Sequence, residues 1–426
     1  MRNKIQIWKV ITVLGIMLFL SDGVLAEEWT LDSLPEKKVP AEEVVAGVDS
    51  FCYSRRFIHR IGLEARPGYI MPTNPFLRYQ NYDGKRINQT LSTHLRYSFQ
   101  FSPNSYADRI YGAPYQGLGV ARFDFYSKEL GTPTAIYMFQ GARLAQFTSR
   151  LSLNYEWDFG LSFGWNPYDG SFNTNNKVIG SKANAYINTN FYLNWMFSRH
   201  FDLVAGVELT HFSNGNTKFP NAGLNTAGVK VGLVYNINRK DDAFTKPNYL
   251  SPIPKFPHHV SYDLVLFGSW RRKGVDYQDH QVPAPDAYTV LGFNFAPMYN
   301  VGYRCRLGMS LDGVYDGSAN VTTEYYSGGD SDEFRTPSLA KQLALGVSAR
   351  AEYVMPYFTV GIGLGTNVVH AGGDHKGFYQ VLALKVEMTR NTFLHIGYNL
   401  KDFHDPNYLM LGFGFRFNNR YPAYHR

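Results

Sequence analysis

Period-two alternation of apolar and polar residues dominates this chain. The clearest run places Leu151, Leu153, Tyr155, Trp157, Phe159, Leu161, Phe163 and Trp165 on one face. Ser152, Asn154, Glu156, Asp158, Gly160, Ser162 and Gly164 fall on the other. Successive side chains of an extended strand point to opposite sides, so the run predicts a strand with one apolar face. The next run repeats the pattern, with Ala185, Ile187, Phe191, Leu193, Trp195 and Phe197 set against Asn184, Asn188, Asn190, Asn194 and Ser198. Such runs exceed the roughly 5–6 residues of an ordinary strand. They match the roughly 9–11 residues that a tilted strand needs to cross a bilayer.

The same criterion predicts strands near 57–66, 90–101, 118–126, 132–141, 150–165, 183–197, 201–213 and 225–237. A stretch rich in Pro, Lys and Asp follows, from Asn238 to Pro257. Further strands are predicted near 259–271, 287–299, 303–315, 340–354, 357–367, 377–389, 392–402 and 407–418. An apolar face on one side and a small or polar face on the other is the pattern of a transmembrane barrel. A soluble sandwich fits less well, because its strands are shorter and so long a chain would need a far larger soluble core. The expected fold is therefore all-β, an antiparallel transmembrane β-barrel of about 14–16 strands in one closure. Two tandem eight-stranded barrels are the alternative. Phe201–Ser213 aligns with Thr392–His404, with Gly206 opposite Gly397, Leu209 opposite Leu400 and Phe212 opposite Phe403, which suggests duplication. The last strand alternates Leu409, Leu411, Phe413, Phe415 and Phe417 with Met410, Gly412, Gly414 and Arg416. It resembles the assembly signal of outer-membrane barrels and implies the barrel assembly machinery as a partner.

The N-terminus fits this setting. Arg2, Lys4 and Lys9 precede the apolar Val10–Leu20, and Val24 and Ala26 suit cleavage after Ala26. The apolar run is too short for a membrane helix, and no cysteine follows the cleavage point. The expected division is a signal peptide over 1–26, a periplasmic lead-in over 27–55, a first barrel half over 56–237, a linker over 238–257, a second half over 258–418 and a tail over 419–426. No other long apolar stretch follows, so a closed barrel is the remaining way to span a membrane. The two cysteines, Cys52 and Cys305, either pair in an oxidising periplasm or stay as thiols.

Composition adds little and removes one class. Of 426 residues, 16% are aromatic and 18% charged, which suits a β-rich chain. The net charge of +7 is scattered, with no basic run, so nucleic acid is not an expected partner. No phosphate-binding glycine loop is present, and no cofactor is expected. His370 and His375 lie in the Gly-rich stretch His-Ala-Gly-Gly-Asp-His, where solvated loop residues are the expectation and a metal site is not. Nothing in the sequence speaks to oligomeric state.

One stretch carries candidate chemistry: Thr210-His211-Phe212-Ser213-Asn214-Gly215, followed by Phe219-Pro220-Asn221-Ala222-Gly223-Leu224-Asn225. His211 and Ser213 share a strand face, and a histidine beside a serine can act as base and nucleophile. Leu203, Ala205, Val207 and Leu209 have the same parity, so the pair is expected on the lipid-facing side. Asn225 has the parity of Val229, Val231 and Leu233 and is expected there too. With a periplasmic entry, the seventh strand ends at the outer rim. A polar pair at that boundary would meet the acyl-ester region of lipopolysaccharide.

The stretch His-Phe-Ser-Asn at 211–214, then Pro220-Asn221, Gly223-Leu224 and a polar residue at 225, resembles the outer-membrane lipid A 3-O-deacylases of PagL type, most specifically over 211–237. The resemblance implies a β-barrel esterase that removes an ester-linked acyl chain from lipid A, with lipopolysaccharide and outer-membrane lipid as its surroundings. It implies Ser213 as nucleophile, His211 as general base and the amide of Asn214 as an oxyanion donor. The family's acidic residue, which orients the histidine, is here Asn225. An amide can still fix the imidazole tautomer, but it brings no charge. The family barrel is about half this length, so the resemblance leaves the second half unexplained. A non-enzymatic outer-membrane pore or structural barrel with a remnant site is the reading from a different class.

Overall fold

The structure is a computed structural model and describes residues 57–240 and 253–421, apart from positions 102, 104, 278, 279, 285, 325–332 and 404. The expected signal peptide, lead-in and Cys52 lie outside the described residues, as does most of the expected linker.

The first eight strands are β1 (Ile58–Ile70), β2 (Gln89–Gln100), β3 (Tyr115–Asp124), β4 (Gly131–Gln146), β5 (Leu151–Trp165), β6 (Ala183–Met196), β7 (Phe201–Ser213) and β8 (Leu224–Ile237). Each pairs antiparallel with its sequence neighbour, and β8 returns to β1, with His59 opposite Ile237 and Ile70 opposite Thr226. The second half contains β9 (His259–Arg271), the short hairpin β10 (Gly274–Tyr277) and β11 (His280–Pro283), β12 (Tyr288–Asn300) and β13 (Cys305–Asp316). It continues with the short pair β14 (Thr322–Glu324) and β15 (Glu333–Arg335), then β16 (Leu343–Met355), β17 (Phe358–His370), β18 (Phe378–Glu387), β19 (Thr392–Lys401) and β20 (Asp405–Phe417). Its eight long strands close separately, with β20 pairing back onto β9 from Leu411 opposite Gly268 to Phe417 opposite Tyr262.

The all-β transmembrane barrel stands, and the single closure of 14–16 strands is corrected to the alternative of two eight-stranded barrels. The physical reason is the β1–β8 ladder. It satisfies the backbone groups of both edge strands, so no edge remains for the second half to join. A closure over eight hairpin-linked strands also orders less chain than one over sixteen. The segments aligned as a duplication, β7 and β19, occupy the same seventh place in their barrels.

Eight strands enclose a lumen only wide enough for side chains, and both lumens are filled. In the first barrel Arg66 meets Glu64 at 2.7 Å, Glu208 at 2.8 Å and Asp158 at 3.2 Å. Lys230 meets Glu156 at 2.8 Å, Arg96 meets Glu156 at 2.6 Å, and Arg96 also pairs with Glu64. In the second, Arg306 joins Asp263 at 2.8 Å and Glu352 at 2.7 Å, and Lys385 bridges the same two carboxylates. Charges so enclosed persist only when paired and hydrogen-bonded. The outward faces are apolar and largely exposed, as at Leu63, Leu95, Leu118, Val207 and Phe413. Strands of about 13 residues at roughly 3.3 Å each, tilted near 40°, rise about 30 Å, the thickness of a bilayer core.

The barrels stand side by side with the same orientation. On β5 the outward Tyr155 is buried, packed with Tyr353, Met355, Phe358 and Leu384 of the second barrel. Trp157 meets Phe358 edge-on at 5.0 Å. At the short-turn rim Arg304 Nε donates to Ile110 O at 2.5 Å. At the opposite rim Arg272 N donates to Asn216 O at 3.1 Å, and Asn216 Nδ2 donates to Asn407 O at 3.4 Å.

Candidate active site at the outer rim of the first barrel

Along β7 the lumen receives Asp202, Val204, Glu208, Thr210 and Phe212, all buried, while Leu203 and Val207 are exposed outward. His211 and Ser213 therefore lie on the outer face, as parity predicts. Glu208 is committed to Arg66 in the lumen and cannot serve a site outside. Phe212, between the pair, is an anchor. Fully buried, it meets Trp165 at 5.0 Å, Phe123 at 5.1 Å and Tyr186 at 5.5 Å between ring centres. This aromatic plug under the loops fixes the strand end, so the side chains flanking Phe212 have little freedom to rotate with the backbone.

The antiparallel register sets Asn225 of β8 directly across from His211. Their side chains meet, with His211 Nδ1 2.7 Å from Asn225 Oδ1. An amide oxygen only accepts, so Nδ1 carries the proton and Nε2 holds the lone pair. Ser213 pairs across β6 with Ala185, and His211 with Ile187. A small residue thus flanks the serine and an apolar one the histidine. Among the described residues no hydrogen bond links Ser213 Oγ to His211. A catalytic hydrogen bond is often long in a free enzyme and closes on binding.

The loop 214–223 is held from below by the β5–β6 loop. Ala222 N donates to Lys177 O at 3.3 Å and Gly223 N to Val178 O at 3.2 Å. Gly180 lies against Pro220, whose oxygen would be 2.2 Å from a Cβ there. The Phe219–Pro220 peptide is cis. The backbone N–H of Asn214 donates to Asn221 Oδ1 at 3.0 Å, and Asn214 Nδ2 donates to Lys218 O at 2.8 Å. The main-chain donor of Asn214 is therefore occupied, and one Nδ2 proton is committed to Lys218 O.

Gly223 has a role that its place in the motif does not reveal. Its φ of +73° favours glycine, and a Cβ there would lie 2.9 Å from His211 Cε1. The glycine gives the imidazole the space in which it meets Asn225. Asn221 is likewise structural, bonding Asn214 and, through Nδ2, Asn216 Oδ1 at 3.1 Å. Pairing with Asn225 is legible from parity, whereas these supports depend on how the loop folds back.

In the second barrel the segment aligned with the site turns tightly after β19. Asp402 and Phe403 are both left-handed, and Asp402 Oδ1 accepts from Phe378 N at 3.2 Å. The loop bearing His370 and His375 lies on the same rim. Asp374 there is drawn below the usual carboxylate range. Burial opposes that shift, but Lys273 Nζ at 2.5 Å and the Asn320 N–H at 2.8 Å outweigh it.

Alternating strands, packed lumens and an apolar girdle define an outer-membrane β-barrel protein whose polar pair lies on the barrel's outer face. A family model described as "Lipid A 3-O-deacylase (PagL)" matches residues 77–234, and one described as "Acyloxyacyl hydrolase, C-terminal domain" of PagL matches residues 260–419. The chain belongs to the PagL family of outer-membrane lipid A 3-O-deacylases. The second half, which the motif leaves unexplained, is thus a matched domain in its own right. Among solved structures, the crystal structure of the outer membrane enzyme PagL is 16% identical, covering 40% of this chain and 97% of that one at a TM-score of 0.27. Neisserial surface protein A (NspA) is 9% identical, covering 42% and 97% at a TM-score of 0.27. The COG4313 outer membrane channel from Pseudomonas putida F1 is 11% identical, covering 84% and 94% at a TM-score of 0.19. Comparison with curated proteins gave no match.

Proposed function

We propose that this chain hydrolyses an ester-linked acyl chain of lipid A, with Ser213 as nucleophile, His211 as general base and Asn225 as the residue that orients it. One observation carries the reading: the 2.7 Å contact between His211 Nδ1 and Asn225 Oδ1 on the outer face at the rim opposite the barrel's entry. It leaves Nε2 free as a base on the side of the strand that meets lipid. Ser213 Oγ attacks the ester carbonyl while His211 Nε2 takes its proton. The tetrahedral intermediate collapses, the sugar alcohol leaves with that proton, and an acyl-Ser213 ester remains. Water, deprotonated by His211, then releases the fatty acid. The amide of Asn214 is the oxyanion donor in this scheme. Insertion by the barrel assembly machinery belongs to the same reading and rests on the amphipathic β20. The filled lumens give the pore reading no support.

Lipid A from cells expressing the wild-type chain is expected to lose the mass of one acyl chain, and lipid A from cells expressing Ser213→Ala to keep it. Identical mass spectra from the two would end the proposal.

Asn225 fixes the tautomer but does not stabilise the imidazolium. A carboxylate adds a charge-assisted bond, stronger than a neutral one by about 1–2 kcal/mol. Asn225→Asp is accordingly expected to raise kcat by on the order of tenfold, read as fatty acid released from purified lipid A in detergent. A fall in kcat would show that the site is built for a neutral partner.

A further inference from the structure

The site does not face open lipid on all sides. The serine loop runs into the second barrel. A methyl group at Gly215 would lie 3.6 Å from Leu409 Cδ1 and 3.7 Å from Tyr398 Cε2. Tyr398 and Leu409 are cross-strand partners on β19 and β20. Both have outward parity, since the lumen side of these strands carries the buried Phe393, His395, Tyr408 and Met410. Asn216, three residues after the serine, is tied to Arg272 and Asn407 of the same barrel. Lower down, Ile396 of β19 and Phe191 of β6 share the apolar cluster that joins the two barrels. Between these contacts the outer face of the first barrel is open: Ile187 is 43% and Val207 60% exposed.

We infer that the second barrel forms one wall of the acyl-chain site, with Tyr398 and Leu409 as specificity-determining residues. The inference rests on ester hydrolysis at Ser213. An acyl chain whose carbonyl sits at Ser213 must run from the polar rim toward the bilayer midplane. On β7 that path passes Leu209 and Val207, with Ile187 beside it. Tyr398 and Leu409 stand at its head, beside Gly215. Fluid lipid on that side would adapt to any chain, whereas side chains fixed by a second closed sheet cannot. One methylene in such an apolar slot changes selectivity by about 10-fold or more. The second barrel thereby has a function at the site rather than a separate one.

The test uses the full chain in nanodiscs of phosphatidylethanolamine with lipid A carrying a diazirine near the carbonyl end of an acyl chain. Photolysis should label Tyr398 or Leu409 in preference to Phe413, which faces outward further down β20. Leu409→Trp should cut that labelling several-fold. In parallel, fatty acids released from lipid A with a mixture of chains unbranched and branched near the carbonyl are analysed by mass spectrometry. Leu409→Trp should shift the product ratio toward unbranched chains by about tenfold, and Tyr398→Ala toward branched ones. Labelling of Phe413 equal to Leu409, or an unchanged product ratio from an active Leu409→Trp protein, would overturn the wall. Labelling needs no turnover. Selective labelling of Leu409 without any release from the wild type would count against ester hydrolysis and still support the wall.

Discussion

His211→Ala is expected to lower acyl-ester hydrolysis about as far as Ser213→Ala, by roughly 10⁴- to 10⁶-fold, and the double substitution is expected to lower it no further. A nucleophile and its base act as one unit. Without the imidazole the serine hydroxyl is too weak a nucleophile. Without the hydroxyl the imidazole has nothing to activate. The geometry gives reason to expect coupling of this kind. His211 is held by Asn225, spaced by Gly223 and fixed at the strand end by the buried Phe212, so its alanine variant removes a positioned base and not a mobile side chain. Initial rates of fatty-acid release by the three purified variants decide the matter. A double variant far slower than either single one would mean that the two residues contribute independently. Near-wild-type release from His211→Ala would remove the histidine from the reaction.

Much of the barrel can be read from alternation alone, and the places where the reading slips have local causes. β7 and β9 begin and end where the pattern does, at 201–213 and 259–271. β4 extends to Gln146, past the expected end at 141, because the register shifts between Arg143 and Ala145 and the alternation breaks with it. Residues 340–342 look like the start of a strand, but Leu339–Gln342 form one helical turn before β16. The pairs β10–β11 and β14–β15 are too short for periodicity to reveal. Closure is a different problem. Whether β8 returns to β1 depends on pairing across the chain, which no local pattern encodes. The long Pro-rich stretch after Ile237 favours two closures, but it does not encode the pairing itself.

The site divides in the same way. His211, Ser213 and Asn225 share a face because strand parity is a local property, and the structure brings His211 and Asn225 together. The occupied main-chain donor of Asn214, the space left by Gly223 and the contact of Gly215 with Leu409 arise from loop return and barrel packing. Sequence spacing carries none of these. The β5–β6 loop, which supports the serine loop through Lys177 and Val178, lies more than thirty positions upstream of it and has no motif to mark it.

Arg66→Ala is expected to destabilise the first barrel by about 3–5 kcal/mol, the cost of leaving buried carboxylates without their partner. Arg66 is fully enclosed and meets Glu64, Asp158 and Glu208 together. Arg96 and Lys230 remain beside Glu64 and Glu156, and Arg96 lies 3.8 Å from Asp158, so the loss falls hardest on Glu208. Glu208 would keep only the bond from Asn188 Nδ2 at 3.0 Å, and that same amide also holds Thr210 at 2.7 Å, next to His211. Loss of the arginine thus reaches the strand that carries the site through one asparagine. Because each barrel closes on itself, the effect should stay within the first. Peptide-resolved hydrogen exchange in detergent should show faster opening over β1–β8 and unchanged protection over β16–β20. The companion variant Arg306→Ala should show the reverse, since Arg306 holds Asp263 and Glu352 of the second lumen. Adding Glu208→Gln to Arg66→Ala removes one of the stranded charges and should restore part of the lost stability. Equal loosening of both barrels by Arg66→Ala would mean that the interface around Tyr155 and Phe358 couples them into one unfolding unit, and that separate closure does not give separate stability.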